Sequence, residues 1–439
     1  MTANRPTFLL KLLAPLAAFA CTFALLVAFK GSDGIEPPGR GTAVDLDIPP
    51  DASTDERIAI LQRAVRDGIG GADGYASLGD AHLQKARESG DPSYYSRAER
   101  SFDAALRRDA GNFDAVLGAG TLAGLRHDFR EQLRLGLEAR RLLPGLVAPY
   151  PVIADAQIEL GRYGAAERTL QRLLDLKPNL TSYSRVSYYR ELNGDLDGAV
   201  QAMRLAVSAG AGVAENVAYV QNLLGDLQLQ RGRAGAARSA YLAALARVPR
   251  YAPAQAGLAR VEIAAGNLNA AARRLRGVTQ RLPLTSYLIL LAETDEARGD
   301  RRAAAVDLAV VRSQQRLLRA AGARPDAEFV LFEADHGDPR AAVRIGRRLW
   351  EEAPSVRSAD ALGWALTRAG RPDEGLTWAR RALQLGSRDA LFHLHAGLAA
   401  KATGRSELAA RSLRTALAGR ATLSPLQARD ARAALGTLR

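Results

Sequence analysis

Cysteine is nearly absent. The 439-residue chain has one, Cys21, which leaves no disulfide framework and no thiolate cluster. Histidine is scarce too, with five residues, His82, His127, His336, His393 and His395. His393 and His395 stand two apart, so on a helix they point to different faces. No Cys-x-x-Cys, His-Glu-x-x-His or aspartate-rich calcium loop occurs, so no metal centre is expected. The phosphate-loop motif and the Gly-x-Ser-x-Gly elbow are missing. Gly118-Ala119-Gly120-Thr121-Leu122-Ala123 imitates a dinucleotide fingerprint but has no strand before it. Glu293 and Glu296 share a helix face, where paired carboxylates are ordinarily hydrated. No nucleophile, base and orienting group can be assembled, so neither enzyme activity nor a cofactor is expected. Lysine is rare as well: Lys11, Lys30, Lys85, Lys177 and Lys401 are all there is, against 60 basic residues and a net charge of +13. Such charge can mark nucleic acid, anionic membrane or acidic polymer as partner. No run of four basic residues occurs, however, and the arginines read as solvated helix faces. Nucleic acid is therefore not expected, and an anionic surface or cell-wall polymer stays open as the second reading.

What the chain does have is a register of glycines. Gly161, Gly194, Gly232, Gly266, Gly299, Gly337, Gly370 and Gly404 follow one another at spacings of 33 to 38 residues. Five residues after each comes a small residue: Ala166, Ala199, Ala237, Ala271, Ala304, Ala342, Gly375 and Ala409. Such a period marks a repeat array. In the unit Tyr219 to Pro249, apolar residues three and four apart predict two helices, broken at Gly232 and closed by Pro249. The glycine suits a left-handed backbone just past a helix end. The alanine suits close approach of the second helix to the first. Two longer gaps place additions around Ser208–Asn216 and Arg312–Asp326, the second predicting a lengthened helix over Val310–Ala321. Two further units are expected upstream, one with His127 at the turn, the other with extra residues read as a longer loop around Ser89–Ser96.

Leu224-Gly225, Gly232, Ala237, Tyr241, Ala244 and Pro249 together resemble the tetratricopeptide repeat family. The resemblance implies an all-α, right-handed superhelical solenoid of antiparallel helix pairs, with about ten units over residues 72–423. It implies no bond chemistry, only scaffolding, with protein or peptide partners held on the concave face of the first helices. Carried onto this sequence, that phase points Tyr188, Asn222, Asp226, Arg260, Glu293 and Trp364 into the groove. Asn222 and Asp226 depart from the family's carboxylate clamp, because Asp226 would repel a peptide C-terminus.

Leu12–Phe29 is an uncharged stretch of 18 residues, at the lower limit for a membrane span. Residues 1–30 are expected to be a signal anchor, or in the alternative a cleaved signal peptide that releases the protein. Cys21 reads as an apolar residue of that span. The slight excess of positive charge before it places the array outside the cytoplasmic membrane. Residues 31–53 read as a flexible tether rich in Pro, Gly and Asp, 54–71 as an N-terminal capping helix and 424–439 as a C-terminal one.

Overall fold

A computed structural model describes residues 48–49, 52–210 and 213–438, and all their regular structure is helical. The apolar stretch Leu12–Phe29 lies outside the described residues, as does most of the tether. Among the described residues, no helix is long and apolar enough to cross a membrane.

After α1 (Thr54–Arg66) come ten antiparallel pairs. The first three are α2 (Gly71–Ser89) with α3 (Ser93–Arg108), α4 (Phe113–Leu125) with α5 (Phe129–Leu142), and α6 (Pro149–Glu159) with α7 (Tyr163–Leu176). The next three are α8 (Leu180–Leu192) with α9 (Leu196–Ala209), α10 (Ala214–Gln230) with α11 (Ala234–Arg247), and α12 (Ala252–Ala264) with α13 (Leu268–Thr279). Then follow α14 (Thr285–Ala297) with α15 (Arg301–Ala320) and α16 (Ala327–His336) with α17 (Pro339–Glu352). The last two are α18 (Val356–Arg368) with α19 (Pro372–Ala382) and α20 (Ala390–Ala402) with α21 (Ser406–Ala418). A final helix, α22 (Pro425–Gly436), ends the described chain. Helices α1 and α22 both open on a capping box, Ser53 with Glu56 and Ser424 with Gln427. Each box satisfies backbone N–H groups that the first turn of a helix would otherwise leave open.

Most pairs turn over at a left-handed glycine. Gly161, Gly194, Gly232, Gly266, Gly299, Gly370 and Gly404 have φ between 67° and 88°. His127 occupies the same place in the second pair and takes φ 61° despite its side chain. Gly337 is the departure: its φ is −131°, so the left-handed turn expected there does not form. Pro339 opens α17 and pushes Asp338 into extended backbone, so the chain reverses through an open turn instead. Aspartate often follows the turn and caps the second helix: Asp128, Asp195 and Asp300 each accept from a backbone N–H three residues on.

Every alanine of the register is buried, from Ala166 through Ala409. The aromatic position explains the helical glycines. Tyr241 on α11 lies between Gly225 of its own pair and Gly257 of the next, and a methyl on either glycine would run into its ring. Phe102 repeats the arrangement between Gly79 and Gly118, which accounts for the dinucleotide look-alike as helix packing. The extra residues near Ser89 are helical, extending α2 through Ser89 and leaving only Gly90 to Pro92 as loop, so the expected longer loop is not there. Helix α15 is lengthened as its sequence required, and the other addition falls partly in the start of α10.

The solenoid also packs on itself. The turn of the second pair meets the loop after the seventh: the Arg324 N–H donates to the Arg126 carbonyl at 3.0 Å, and Arg324 pairs with Asp128 at 2.5 Å. The turn of the third pair meets the loop after the eighth, where the Val356 N–H donates to Tyr163 Oη at 2.7 Å. Gly161, Gly194 and Gly232 abut the backbones at Pro354, Gly386 and Ala418 in the same offset of five pairs. One hydrophobic cluster accordingly joins Leu170, Tyr188 and Tyr219 to Val356, Ala382 and Phe392.

Two substitutions separate turn strain from this self-packing. Gly266 has φ 81° and open space around it, so Gly266→Ala should cost only ~1–2 kcal/mol of backbone strain. Gly194 has φ 76° and also faces the Gly386 carbonyl, so Gly194→Ala should lose a further ~1–3 kcal/mol. Urea midpoints measure both, and equal losses would count against contact between turns.

Candidate functional site

Because the later pairs close over the earlier ones, the concave face becomes the wall of a cavity of about 390 Å³. Its lining comes mainly from the first helix of successive pairs: Glu159 on α6, Asn222 and Asp226 on α10, Arg260 on α12, Tyr287 on α14, Glu328 on α16 and Asp360 on α18. Six carboxylates line it, Glu159, Asp226, Asp326, Glu328, Asp360 and Asp389, against two guanidiniums, Arg260 and Arg357.

Three of the six groove residues expected from the sequence meet here. Asn222 Nδ2 donates to Asp226 at 3.1 Å, Tyr241 Oη donates to Asp226 at 2.7 Å, and Arg260 stands 3.9 Å from the same carboxylate. The other three serve contacts between neighbouring elements. Tyr188 is buried and its hydroxyl accepts from Arg357 Nε at 2.8 Å, joining one turn of the solenoid to the next. Glu293 is buried against His336 on the following first helix, at 2.9 Å. Trp364 stacks on His395 with centroids 4.4 Å apart and donates from Nε1 to Asp335 at 2.9 Å.

The Glu293 and Trp364 contacts belong to a ladder between successive first helices, with two rungs the sequence did not single out. Arg185 and Asp155 make a paired contact at 2.9 Å in which both side chains are essentially out of solvent. His395 Nδ1 lies 3.0 Å from both oxygens of Asp360. Burial raises the Asp155 and Asp360 carboxyls, opposed by Arg185 and His395 respectively. At His336 burial pulls downward, but the hydrogen bond it donates to Glu293 and the nearby carboxylates prevail and raise it.

The wall carboxylates differ in what holds them. Asp326 and Asp389 cap α16 and α20 by accepting from backbone N–H groups. Asp226 and Asp360 have the partners just named. Glu159 is 9% exposed and makes no hydrogen bond or ion pair. Burial pushes it up to about 7, with Arg357 opposing and Asp155 and Asp326 adding. Glu191, on the inner side of α8, is likewise pushed by burial up to about 7 against Arg357. Glu328 is raised well above the carboxylate range, by burial first and Asp326 second. No sequence signal marked these three, since each reads as an ordinary helix glutamate. Among the described residues no group of three or more His, Cys, Asp or Glu could hold a metal ion.

Two stability measurements follow. Folding holds the Glu159 and Glu191 protons to about pH 7, so their contribution is full below the ordinary carboxyl range and lost as pH rises through about 7. The double variant Glu159→Gln with Glu191→Gln should therefore match the wild type at pH 4 and exceed it at pH 8, by roughly 2 kcal/mol per carboxyl. Asp155→Ala should cost ~3–5 kcal/mol at pH 7, because it strands the Arg185 charge in the core. Denaturant melts at the stated pH read both effects.

Residues 152–180 match the tetratricopeptide repeat family model, a stretch that runs through α6 and α7 to the start of α8. No curated protein matches the chain. Among solved structures, a human IFIT1 dimer with PPP-AAAA is 15% identical, with a TM-score of 0.45 and coverage of 76% of this chain and 79% of that one. The Cut9–Hcn1 hetero-tetramer of the APC/C is 15% identical, with a TM-score of 0.39 and coverage of 88% and 67%. PilW, a type IV pilus biogenesis factor, is 18% identical, with a TM-score of 0.39 and coverage of 48% and 98%. The chain thus carries a tetratricopeptide repeat at residues 152–180, set within an all-helical solenoid of paired helices.

Proposed function

We propose that this protein is a non-catalytic interaction scaffold that holds a segment of a protein partner inside its solenoid. The family of the matched repeat is in general a protein-interaction fold. The observation that carries the reading is the cavity itself, walled by first helices and containing Asn222, Asp226 and Arg260 together. Preorganised walls of this kind lower the ordering cost of a bound segment. In the same proposal Leu12–Phe29 anchors the chain in the cytoplasmic membrane, residues 31–53 act as its tether, and the array faces outward. Release by signal cleavage is the alternative placement.

A second reading has its own observation. Arg250, Arg273, Arg274 and Arg281 line an open groove of about 570 Å³ away from the lumen. That groove suits an anionic surface polymer, and such binding would weaken steeply with added salt.

The test is proximity labelling of the full chain in its own cell, comparing the wild type with an Asn222→Ala, Arg260→Ala variant of unchanged melting temperature. The expected outcome is loss of a defined subset of labelled proteins, by ~10-fold or more. Identical labelling in both would overturn the lumen as the binding face. Protease added to intact cells should digest the array, and an untouched array would refute the outward orientation.

A further inference from the structure

The cavity wall has a charge pattern that ordinary packing does not require. Four of its six carboxylates have local duties: Asp326 and Asp389 cap helices, Asp226 is held by Tyr241 and Asn222, and Asp360 by His395. Glu159 and Glu328 have none. They make no hydrogen bond or ion pair, and both line the cavity. Glu159 is the sharper case, because it is only 9% exposed and what it lines is that space. Buried carboxylates are ordinarily paired, and an uncompensated one is costly.

We propose that the central cavity is a binding site for an organic cation, a guanidinium or ammonium group held at its carboxylate-rich wall, to which Glu159 and Glu328 both belong. The proposal rests on the lumen being the binding face and says what the lumen selects. Several features specify the ligand. The space of about 390 Å³ lies within the range of ligand pockets, ~300–1,000 Å³, and suits a single basic side chain or a small diamine. Apolar and aromatic walls, Phe129, Tyr219, Tyr287 and Phe392 among them, suit the carbon stem and cation face of such a group. The donor set is wrong for a metal ion, since no cluster of three ligating side chains is present among the described residues. The carboxylate excess repels phosphate and carboxylate ligands.

The groups that face Glu159 are Asp155 on its own helix, Asp326 and Arg357 from the closing turn, and the Tyr163 and Tyr188 hydroxyls. Asp326 and Arg260 face Glu328. A bound cation stabilises an ionised carboxylate; Glu159, raised by burial to about 7, is mostly ionised at pH 8 but must lose its proton to pair at pH 5.5. Affinity should therefore fall on acidification.

The experiment is calorimetric titration of the purified full chain at pH 8 and pH 5.5. The probes are agmatine, the tripeptide acetyl-Gly-Arg-Gly-amide and the neutral control acetyl-Gly-Gln-Gly-amide. Both cations should bind at pH 8 and weaken at pH 5.5, and the control should not bind. The relative affinity of the two cations distinguishes a free amine from a partner's side chain. Glu159→Gln with Glu328→Gln should lower affinity at least ~10-fold. These amides remove buried charge, so the variant's melting temperature at pH 8 should hold or rise, which separates lost binding from lost folding. Absence of agmatine and arginine-peptide binding to the wild type at pH 8 would overturn the site. Equal binding of the glutamine peptide would overturn the choice of a cation while leaving the lumen a peptide groove. Unchanged proximity labelling would instead sink the scaffold reading, even with agmatine bound.

Discussion

Everything inside this molecule depends on one turn of the solenoid resting on another. The closest approaches are made by bare backbone, and side chains such as Arg324, Arg357 and Tyr163 add to them. A left-handed glycine such as Gly161 or Gly194 presents bare Cα hydrogens to the carbonyl of Pro354 or Gly386, five pairs further along. Nothing larger fits there. Polar bonds then fix the register, among them Arg324 to the Arg126 carbonyl and Val356 to the Tyr163 hydroxyl. An open solenoid exposes its concave face to bulk water. Here that face is roofed, and its side chains live in surroundings closer to a protein interior.

That enclosure changes the chemistry of ordinary residues. Glu159 and Glu191 would titrate as normal carboxyls on an open groove, yet both are held to about 7. Arg185 would be a solvated helix arginine, yet it is buried against Asp155. The ladder of pairs between successive first helices follows from the same cause. Polar side chains that lose water must find one another, and neighbouring first helices offer partners at matched heights: Asp155 with Arg185, Glu293 with His336, Asp360 with His395. Three of the groove residues suggested by the sequence are taken up by such structural contacts. The other three, Asn222, Asp226 and Arg260, remain together on the cavity wall.

Local geometry was legible in the sequence because local rules determine it. The glycine–alanine register marks helix ends and close helix contacts, and Gly232, Ala237 and Tyr241 do what their types demand. The exceptions are local as well. Gly337 gives up its left-handed turn to the proline two residues on, and of Ser89–Ser96, where a longer loop was expected, only Gly90 to Pro92 lie outside helix. Closure was not legible. It depends on the small rotation between each pair and the next, summed over five pairs, and no single residue encodes that sum. Once closure is unknown, burial of the inner wall is unknown too. Glu159, Glu328 and Arg185 therefore look like surface residues in the sequence.

The offset of five pairs has a consequence for how such a chain can evolve. Open arrays lengthen or shorten by whole-unit duplication and deletion, because each unit knows only its neighbours. In a coil whose layers interlock, inserting one unit in the middle would shift every later loop out of phase with the glycine beneath it. A coil of this kind therefore accommodates a change in unit number at the ends of the array more readily than in its middle.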